Sequence, residues 1–178
     1  MIALCSCSAR KEVADVWSYI QVRPDSALSV LNMLDVSSCH GRSLAEYQLL
    51  KVMAMDKNYI DVASDSLAGP AAEYFHRHGP KEKEMMAMYY LGVSQYYAKD
   101  YNQSIVTLGR ARDLAEDLSN VRYLGMIEAC KSYVYLNGYN YADAIQSIKQ
   151  AIGYFTELPD STLQVRRAKM QLAFLTNY

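Results

Sequence analysis

The sequence has little of several features that would narrow its class at once. Its 178 residues include only four cysteines and four prolines, and acidic and basic residues nearly cancel to a formal net charge of −1. Four cysteines in a chain of this length do not form a disulfide scaffold. A near-neutral chain without a basic stripe disfavours nucleic acid as a partner of this segment. The sequence has no run of about 20 apolar residues, the length that a membrane-spanning helix requires.

Tyrosine is the main compositional excess. The chain has 16 tyrosines, against three phenylalanines and one tryptophan. A tyrosine side chain combines a large apolar ring with a hydroxyl group that can remain in contact with water. Such residues suit half-buried grooves. The hydrophobic share of 51% is ample for a continuous core.

Apolar residues recur every three or four positions along most of the chain, which predicts an all-helical fold interrupted by short breaks. The first helix is predicted from about Lys11 to Gln21, and Pro24 opens the second. Ser43 and Glu46 have the spacing of a capping box at the start of a third helix. Later helices are expected from about Ser66, from Lys81 and after a cap formed by Ser161-Thr-Leu-Gln164.

One spacing of small and bulky residues occurs twice. It consists of Ser104, Leu108 and Ala111, and again of Ala144, Ile148 and Ala151. The small residue lets two helices approach closely, the bulky one fills the gap between them, and the alanine admits the next helix pair. The copies are 40 positions apart, whereas a two-helix repeat usually takes about 34 residues. We expect the difference to be extra loop.

The residues around these copies resemble the tetratricopeptide repeat. Met88, Leu91 and Gly92 match the first helix of that family's unit, with Asp100-Tyr101 at its turn, although Gln95 replaces the usual aromatic residue. The next unit matches only if its turn, Asn137-Gly-Tyr-Asn, is longer. In that register its first helix supplies Met126, Ala129, Cys130 and Tyr133.

The resemblance implies an all-α, right-handed α-solenoid of antiparallel helix hairpins, with about four repeats and one unpaired C-terminal helix. The apolar stripe on that last helix comprises Val165, Ala168, Leu172 and Leu175. A solenoid normally ends in a polar face. The stripe therefore predicts either a continuing chain or a homo-oligomer formed through this helix.

Four segments carry a narrower resemblance, to exported tetratricopeptide proteins of Bacteroides-type bacteria. They are Asp56-Lys-Asn-Tyr-Ile-Asp, Ser64-Asp-Ser-Leu, Glu73-Tyr-Phe-His-Arg-His-Gly and Ala87-Met-Tyr-Tyr-Leu-Gly. In that family such repeats often precede a membrane segment and a regulatory or coiled-coil tail. The likeness thus adds a second hypothesis, a sensory or regulatory input domain of a larger membrane-associated signalling protein.

The amino terminus resembles a bacterial lipobox. Leu4-Cys5-Ser6-Cys7 makes Cys7, or Cys5 in another register, a candidate for lipidation, and residues 1–9 a possible remnant of a lipoprotein signal. The resemblance implies a membrane-anchored protein facing the periplasm, with residues 10–178 as the repeat domain. Two incidental cysteines on a cytoplasmic protein are the alternative.

Candidate chemistry is sparse. Cys5, Cys7, Cys39 and His40 supply zinc-type ligands, but only if the terminus folds back onto a distant turn. His76 and His78 are two positions apart, so on a regular helix they point about 200 degrees away from each other. No phosphate loop, nucleophile elbow or zinc-helix motif is present in the sequence. The prediction is a non-catalytic protein without cofactor or metal.

The repeat geometry predicts a groove lined by the first helix of each hairpin. Its expected members are Met86, Tyr89, Tyr96, Tyr97, Lys131 and Tyr135. Tyrosine-rich grooves suit the capture of a peptide or protein segment, because the aromatic area comes with little rotamer entropy to lose. The competing interpretation is that several of these tyrosines simply pack between hairpins. The predicted function is a protein-interaction scaffold.

Overall fold

A computed structural model describes the backbone of residues 3–37 and 39–177, and the side chains of 10–37 and 39–177. Over this part of the chain the structure is all-helical, and consecutive helices pack against each other in order. The helices are α1 (Ala3–Tyr19), α2 (Pro24–Met33), α3 (Arg42–Lys57), α4 (Ala68–His78), α5 (Lys81–Tyr97), α6 (Tyr101–Asp117), α7 (Val121–Asn137), α8 (Tyr141–Thr156) and α9 (Thr162–Thr176). The predicted all-α class with repeat-like packing is confirmed.

The repeated small and bulky residues lie where neighbouring helices meet. All six members, Ser104, Leu108, Ala111, Ala144, Ile148 and Ala151, are fully buried. The Ser104 hydroxyl donates to the Gly92 carbonyl at 2.8 Å, and the Ser132 hydroxyl donates to the Ala144 carbonyl at 2.8 Å. Each bond joins the two helices of a hairpin, α5 to α6 and α7 to α8. Small residues therefore bring the backbones close enough for a serine to satisfy a carbonyl on the partner helix.

The turns that follow α5, α6 and α7 share one geometry. Each is three residues long, and its middle residue has a positive φ: 64° at Lys99, 51° at Ser119 and 60° at Tyr139. The next residue caps the following helix, because its side chain accepts a hydrogen bond from the amide three positions on. These caps are Asp100, Asn120 and Asn140.

The caps are spaced by 20 positions, and this explains the repeat of 40. Three helices of 17 residues, α5, α6 and α7, are each followed by a three-residue turn, which gives a period of 20 per helix and 40 per hairpin. The expected extra loop, and the longer turn at Asn137, are therefore wrong. The additional residues lie within the helices.

Two helix starts differ from the sequence-based expectation. The first helix begins at Ala3 rather than near Lys11, so the candidate lipidation sites Cys7 and Cys5 belong to its first turns. Their side chains lie outside the described residues. The fourth helix begins at Ala68, close to the expected Ser66, and holds Pro70 in its first turn, where the missing amide donor is tolerated.

The two predicted serine caps are wrong. At the start of α3, the Ser43 hydroxyl donates to the His40 carbonyl at 3.0 Å, while Glu46 pairs with Arg42 and Lys83. At the start of α9, the Ser161 hydroxyl contacts the carbonyl of Phe155 in the last turn of α8 and donates to that of Leu158, just after α8, at 2.8 Å. Both serine hydroxyls donate to backbone carbonyls that come earlier in the chain, and neither accepts a hydrogen bond from the free amides at the start of its helix.

The apolar stripe of α9 is largely covered within the chain. Ala168 and Leu175 are each 4% exposed, and Val165 and Leu172 pack against the same cluster of buried residues from α8. The expectation that this stripe is left open is therefore wrong. A different set of large apolar residues on α9 is exposed to solvent: Leu163, Met170 and Phe174.

Candidate binding cleft

A cleft of about 640 Å³ lies among the described residues. Its walls come mainly from the odd-numbered helices: the last turn of α3, the second half of α5, the middle of α7 and the first half of α9. Five tyrosines line it, namely Tyr59, Tyr89, Tyr96, Tyr97 and Tyr133. We call this site the tyrosine cleft.

The tyrosine wall is held in place by contacts between rings. The Tyr89 ring packs edge-on against Tyr90 at 4.9 Å between centroids and against Tyr123 at 5.6 Å. Tyr96 packs on Tyr97 at 5.3 Å. Such contacts fix ring orientations before any partner arrives, which lowers the entropy lost on binding.

Burial raises the pKa of three of the cleft tyrosines, Tyr89, Tyr96 and Tyr97. Burial, followed by the Asp56 carboxylate nearby, raises the pKa of Tyr97 to about 12. The pKa of Tyr89 is likewise raised well above its ordinary value, and burial is again the main cause. The cleft therefore offers hydroxyl groups that can both donate and accept hydrogen bonds.

Helix α9 forms the far wall through two long-range hydrogen bonds. Arg167 Nη2 donates to the Tyr59 hydroxyl at 3.3 Å, joining positions 108 residues apart. Gln171 Nε2 donates to the Ser132 hydroxyl at 3.0 Å. These contacts join α9 to the turn after α3 and to α7.

Two charged side chains stand together where α3 reaches the cleft. Asp56 and Lys57 are both half-buried, and neither side chain has a hydrogen bond or ion pair with another described residue. Burial raises the pKa of Asp56 and lowers the pKa of Lys57, because each group loses hydration in its charged form. The proximity of the two charges opposes both shifts. Both side chains are therefore free to form hydrogen bonds or ion pairs with a partner at this point of the wall.

Cys130 also lines the tyrosine cleft, but its thiol is not activated. Burial, followed by the charge of Asp56, raises the pKa of Cys130 to about 12. A nucleophilic cysteine needs a lowered pKa, since the thiolate is the reactive form. The group acts here as a small apolar surface.

A second, smaller cleft of about 210 Å³ lies between α6, α7 and α8 and is almost entirely polar. At its base the fully buried Glu128 carboxylate meets Arg112 Nε at 3.0 Å and Lys131 Nζ at 3.0 Å. Tyr135 lies on the wall beside Asp143. This ion cluster links α6 to α7, and a buried carboxylate of this kind requires such partners.

The structure divides the six predicted groove residues among three environments. Tyr89, Tyr96 and Tyr97 line the tyrosine cleft. Lys131 and Tyr135 line the polar cleft instead. Met86 lines neither, and packs half-buried against the core.

Several cleft residues were missed by sequence reasoning. On α7 the cleft members are Met126, Ala129, Cys130 and Tyr133. Two of them, Ala129 and Tyr133, follow the α5 members Tyr89 and Val93 at the 40-residue period. The 40-residue offset was therefore the feature of the sequence that could have identified these two cleft residues. The contributions of α3 and α9 had no local signal of this kind.

The remaining candidate sites do not assemble in the described part of the chain. Cys39 is buried as a free cysteine in the segment before α3, and the side chains of Cys5 and Cys7, its proposed zinc partners, are not described. His76 Nδ1 lies 2.7 Å from Glu84 Oε1 at the junction of α4 and α5. Among the described residues, no three or more His, Cys, Asp or Glu side chains are grouped as metal ligands.

Comparison with known proteins yields no relative. The chain matches no protein-family model, no curated protein sequence and no solved structure. None of the described helices combines the length and apolar character needed to cross a membrane.

Proposed function

We propose that this chain is a non-catalytic protein-interaction domain that binds a peptide or protein segment in the tyrosine cleft. The observation that carries the proposal is that five tyrosines, three from α5, one from α7 and one from the turn after α3, line one open cleft of about 640 Å³. Tyrosine anchors of this kind provide large contact areas and hydrogen-bonding hydroxyls at low entropic cost.

The proposal includes the architecture. A right-handed tetratricopeptide-type solenoid accounts for the small residues between the two helices of each hairpin, and its units here are longer than the usual length of about 34 residues because the helices themselves are longer. It also accounts for a cleft formed mainly by the odd-numbered helices. In such an array those helices face the inside of the curve, where an extended or helical segment docks.

The test compares two tyrosines of equal exposure. Tyr133 is 44% exposed and lines the tyrosine cleft, whereas Tyr141 is 45% exposed and lies outside it. Peptides are selected from a random display library with the purified chain as bait, and their affinities are measured by fluorescence anisotropy. We expect Tyr133→Ala to weaken binding about tenfold, the usual effect of removing an aromatic anchor, and Tyr141→Ala to leave it unchanged.

Circular dichroism confirms that both variants are folded before affinities are compared. If the library yields no binder, or if the selected peptides bind wild type and Tyr133→Ala equally, the tyrosine cleft is not the docking site. An equal loss in both variants would place the peptide elsewhere on the surface.

A further inference from the structure

The tyrosine cleft carries two hydrogen-bond acceptors that have no donor among the described residues. Asp56 lies on the last turn of α3 and its carboxylate has no hydrogen bond or ion pair. Gln164 Oε1 on α9, which also lines the cleft, is buried and lacks a partner among the described residues. Buried Gln164 Oε1 loses its hydration without compensation, and half-buried Asp56 loses part of its hydration, unless a partner supplies donors.

The helix ends make the same region favourable for a cation. The last turns of α3 and α5 both reach the cleft, with Asp56 on one and Tyr97 on the other. Carbonyl groups at a helix C-terminus carry a partial negative charge, which favours a cation nearby. Tyrosine rings present a negative face that also attracts cations.

Resting on the proposed function, we propose that the tyrosine cleft receives a basic side chain of its partner, lysine or arginine, between the Asp56 carboxylate and the tyrosine rings. The cation supplies the donors that Asp56 and Gln164 lack, and the aliphatic stem of the side chain packs on the rings. Burial of Asp56 strengthens the attraction, because a half-buried carboxylate is less screened by water than an exposed one.

Two cationic side chains also line the cleft, and they favour the alternative result, an acidic partner. Lys57 follows Asp56 in the chain, and Arg167 is engaged with the Tyr59 hydroxyl at 3.3 Å. If these two groups governed recognition, the partner would be acidic, and the order of affinities would reverse.

The experiment uses three fluorescein-labelled glycine-serine peptides of equal length that carry lysine, glutamate or glutamine at alternating positions. Binding to the full chain is measured by fluorescence anisotropy. We expect the lysine peptide to bind about tenfold more tightly than the glutamate peptide, the size of one charge-assisted contact. Asp56→Asn should remove most of this preference.

Asp113→Asn is the matched control, because it makes the same change in net charge at an exposed position of α6, outside the clefts. It should leave the preference intact. The proposal is overturned if the lysine peptide fails to bind, if the three peptides bind equally, if glutamate is preferred, or if Asp56→Asn keeps the lysine preference. Library peptides that bind through Tyr133 but lack basic residues would overturn this inference and leave the proposed function standing.

Discussion

Alanine at Gly92 should destabilise the chain, although alanine is the better helix former. Gly92 lies inside α5 and is buried against Leu108 of α6. A Cβ atom at this position would lie 2.7 Å from both Cγ and Cδ2 of Leu108. Because Cγ is the branch point of the side chain, Leu108 cannot avoid the new methyl group by turning its tip alone. Helix α6 must move away or Leu108 must leave its rotamer.

Gly125 of α7 presents the same conflict with Phe155 of α8. A Cβ atom at Gly125 would lie 2.6 Å from Cε1 and 2.7 Å from Cδ1 of the ring. Two other helical glycines form natural controls, because nothing lies within 4 Å of a Cβ built at Gly109 or Gly153. The four positions separate helix propensity from packing.

The expected magnitudes follow from two opposing terms. Replacing glycine by alanine inside a helix stabilises by about 1 kcal/mol. Forcing an extra methyl group into a packed interface costs about 1–3 kcal/mol. Gly109→Ala and Gly153→Ala should therefore raise the free energy of unfolding by about 1 kcal/mol. Gly92→Ala and Gly125→Ala should fall below those controls by about 1–3 kcal/mol.

The assay is urea unfolding followed by far-ultraviolet circular dichroism, with thermal melts as a second measure. For a chain of this size a change of about 1 kcal/mol shifts Tm by about 2–4 °C. In a Leu108→Ala background the penalty at Gly92 should disappear, since the clashing atoms are gone. A Gly92→Ala variant that gains as much stability as Gly109→Ala would refute the close packing of α5 on α6.

Two further predictions concern a cap and a buried carboxylate. Asn120→Ala removes the acceptor for the Tyr123 amide at 3.1 Å and should lower the free energy of urea unfolding by about 1 kcal/mol. Asn102→Ala, at an exposed position of α6, is the control and should leave that free energy unchanged. Burial alone would raise the pKa of Glu84, but hydrogen bonds and charges from its Lys81 and His76 partners outweigh it, so the pKa lies below 4.5. Protonation of Glu84 therefore favours the unfolded chain, and its contribution is lost as pH falls below 4.5. Glu84→Gln should reduce the pH dependence of stability below pH 4.5, measured by acid titration with circular dichroism. An unchanged pH dependence in this variant would contradict the assigned role of Glu84.

The helices and their buried faces could be predicted because both depend on local spacing. Val13, Val16 and Ile20 recur at helical intervals and are buried together. The small and bulky residues of the hairpins behave in the same way. Such patterns need no knowledge of which helices meet.

The turn geometry was harder to predict because its usual signal is absent. A left-handed residue after a helix is most often glycine, but here Lys99, Ser119 and Tyr139 take that conformation. The informative residues were the caps that follow them, spaced by 20 positions. A register for α7 based on the tetratricopeptide pattern instead of that spacing selects Lys131 and Tyr135, which line the polar cleft and not the tyrosine cleft.

The failed caps and the walls of the tyrosine cleft depend on tertiary contacts. Glu46 has the position of a capping residue, yet Lys83 from α5 and Arg42 hold its carboxylate. The contact between Arg167 and Tyr59 spans 108 residues and joins a terminal helix to an early turn. Local sequence spacing holds no information about either arrangement.

The equal turns after α5, α6 and α7 make each helix with its turn an interchangeable module of 20 residues. In the proposed solenoid, loss or duplication of two modules preserves the alternation, so every remaining helix keeps its side of the array. Loss of a single module exchanges the two sides for everything downstream, and residues selected to face a partner would then meet solvent. Related chains should therefore differ in length by multiples of 40 residues and not by 20.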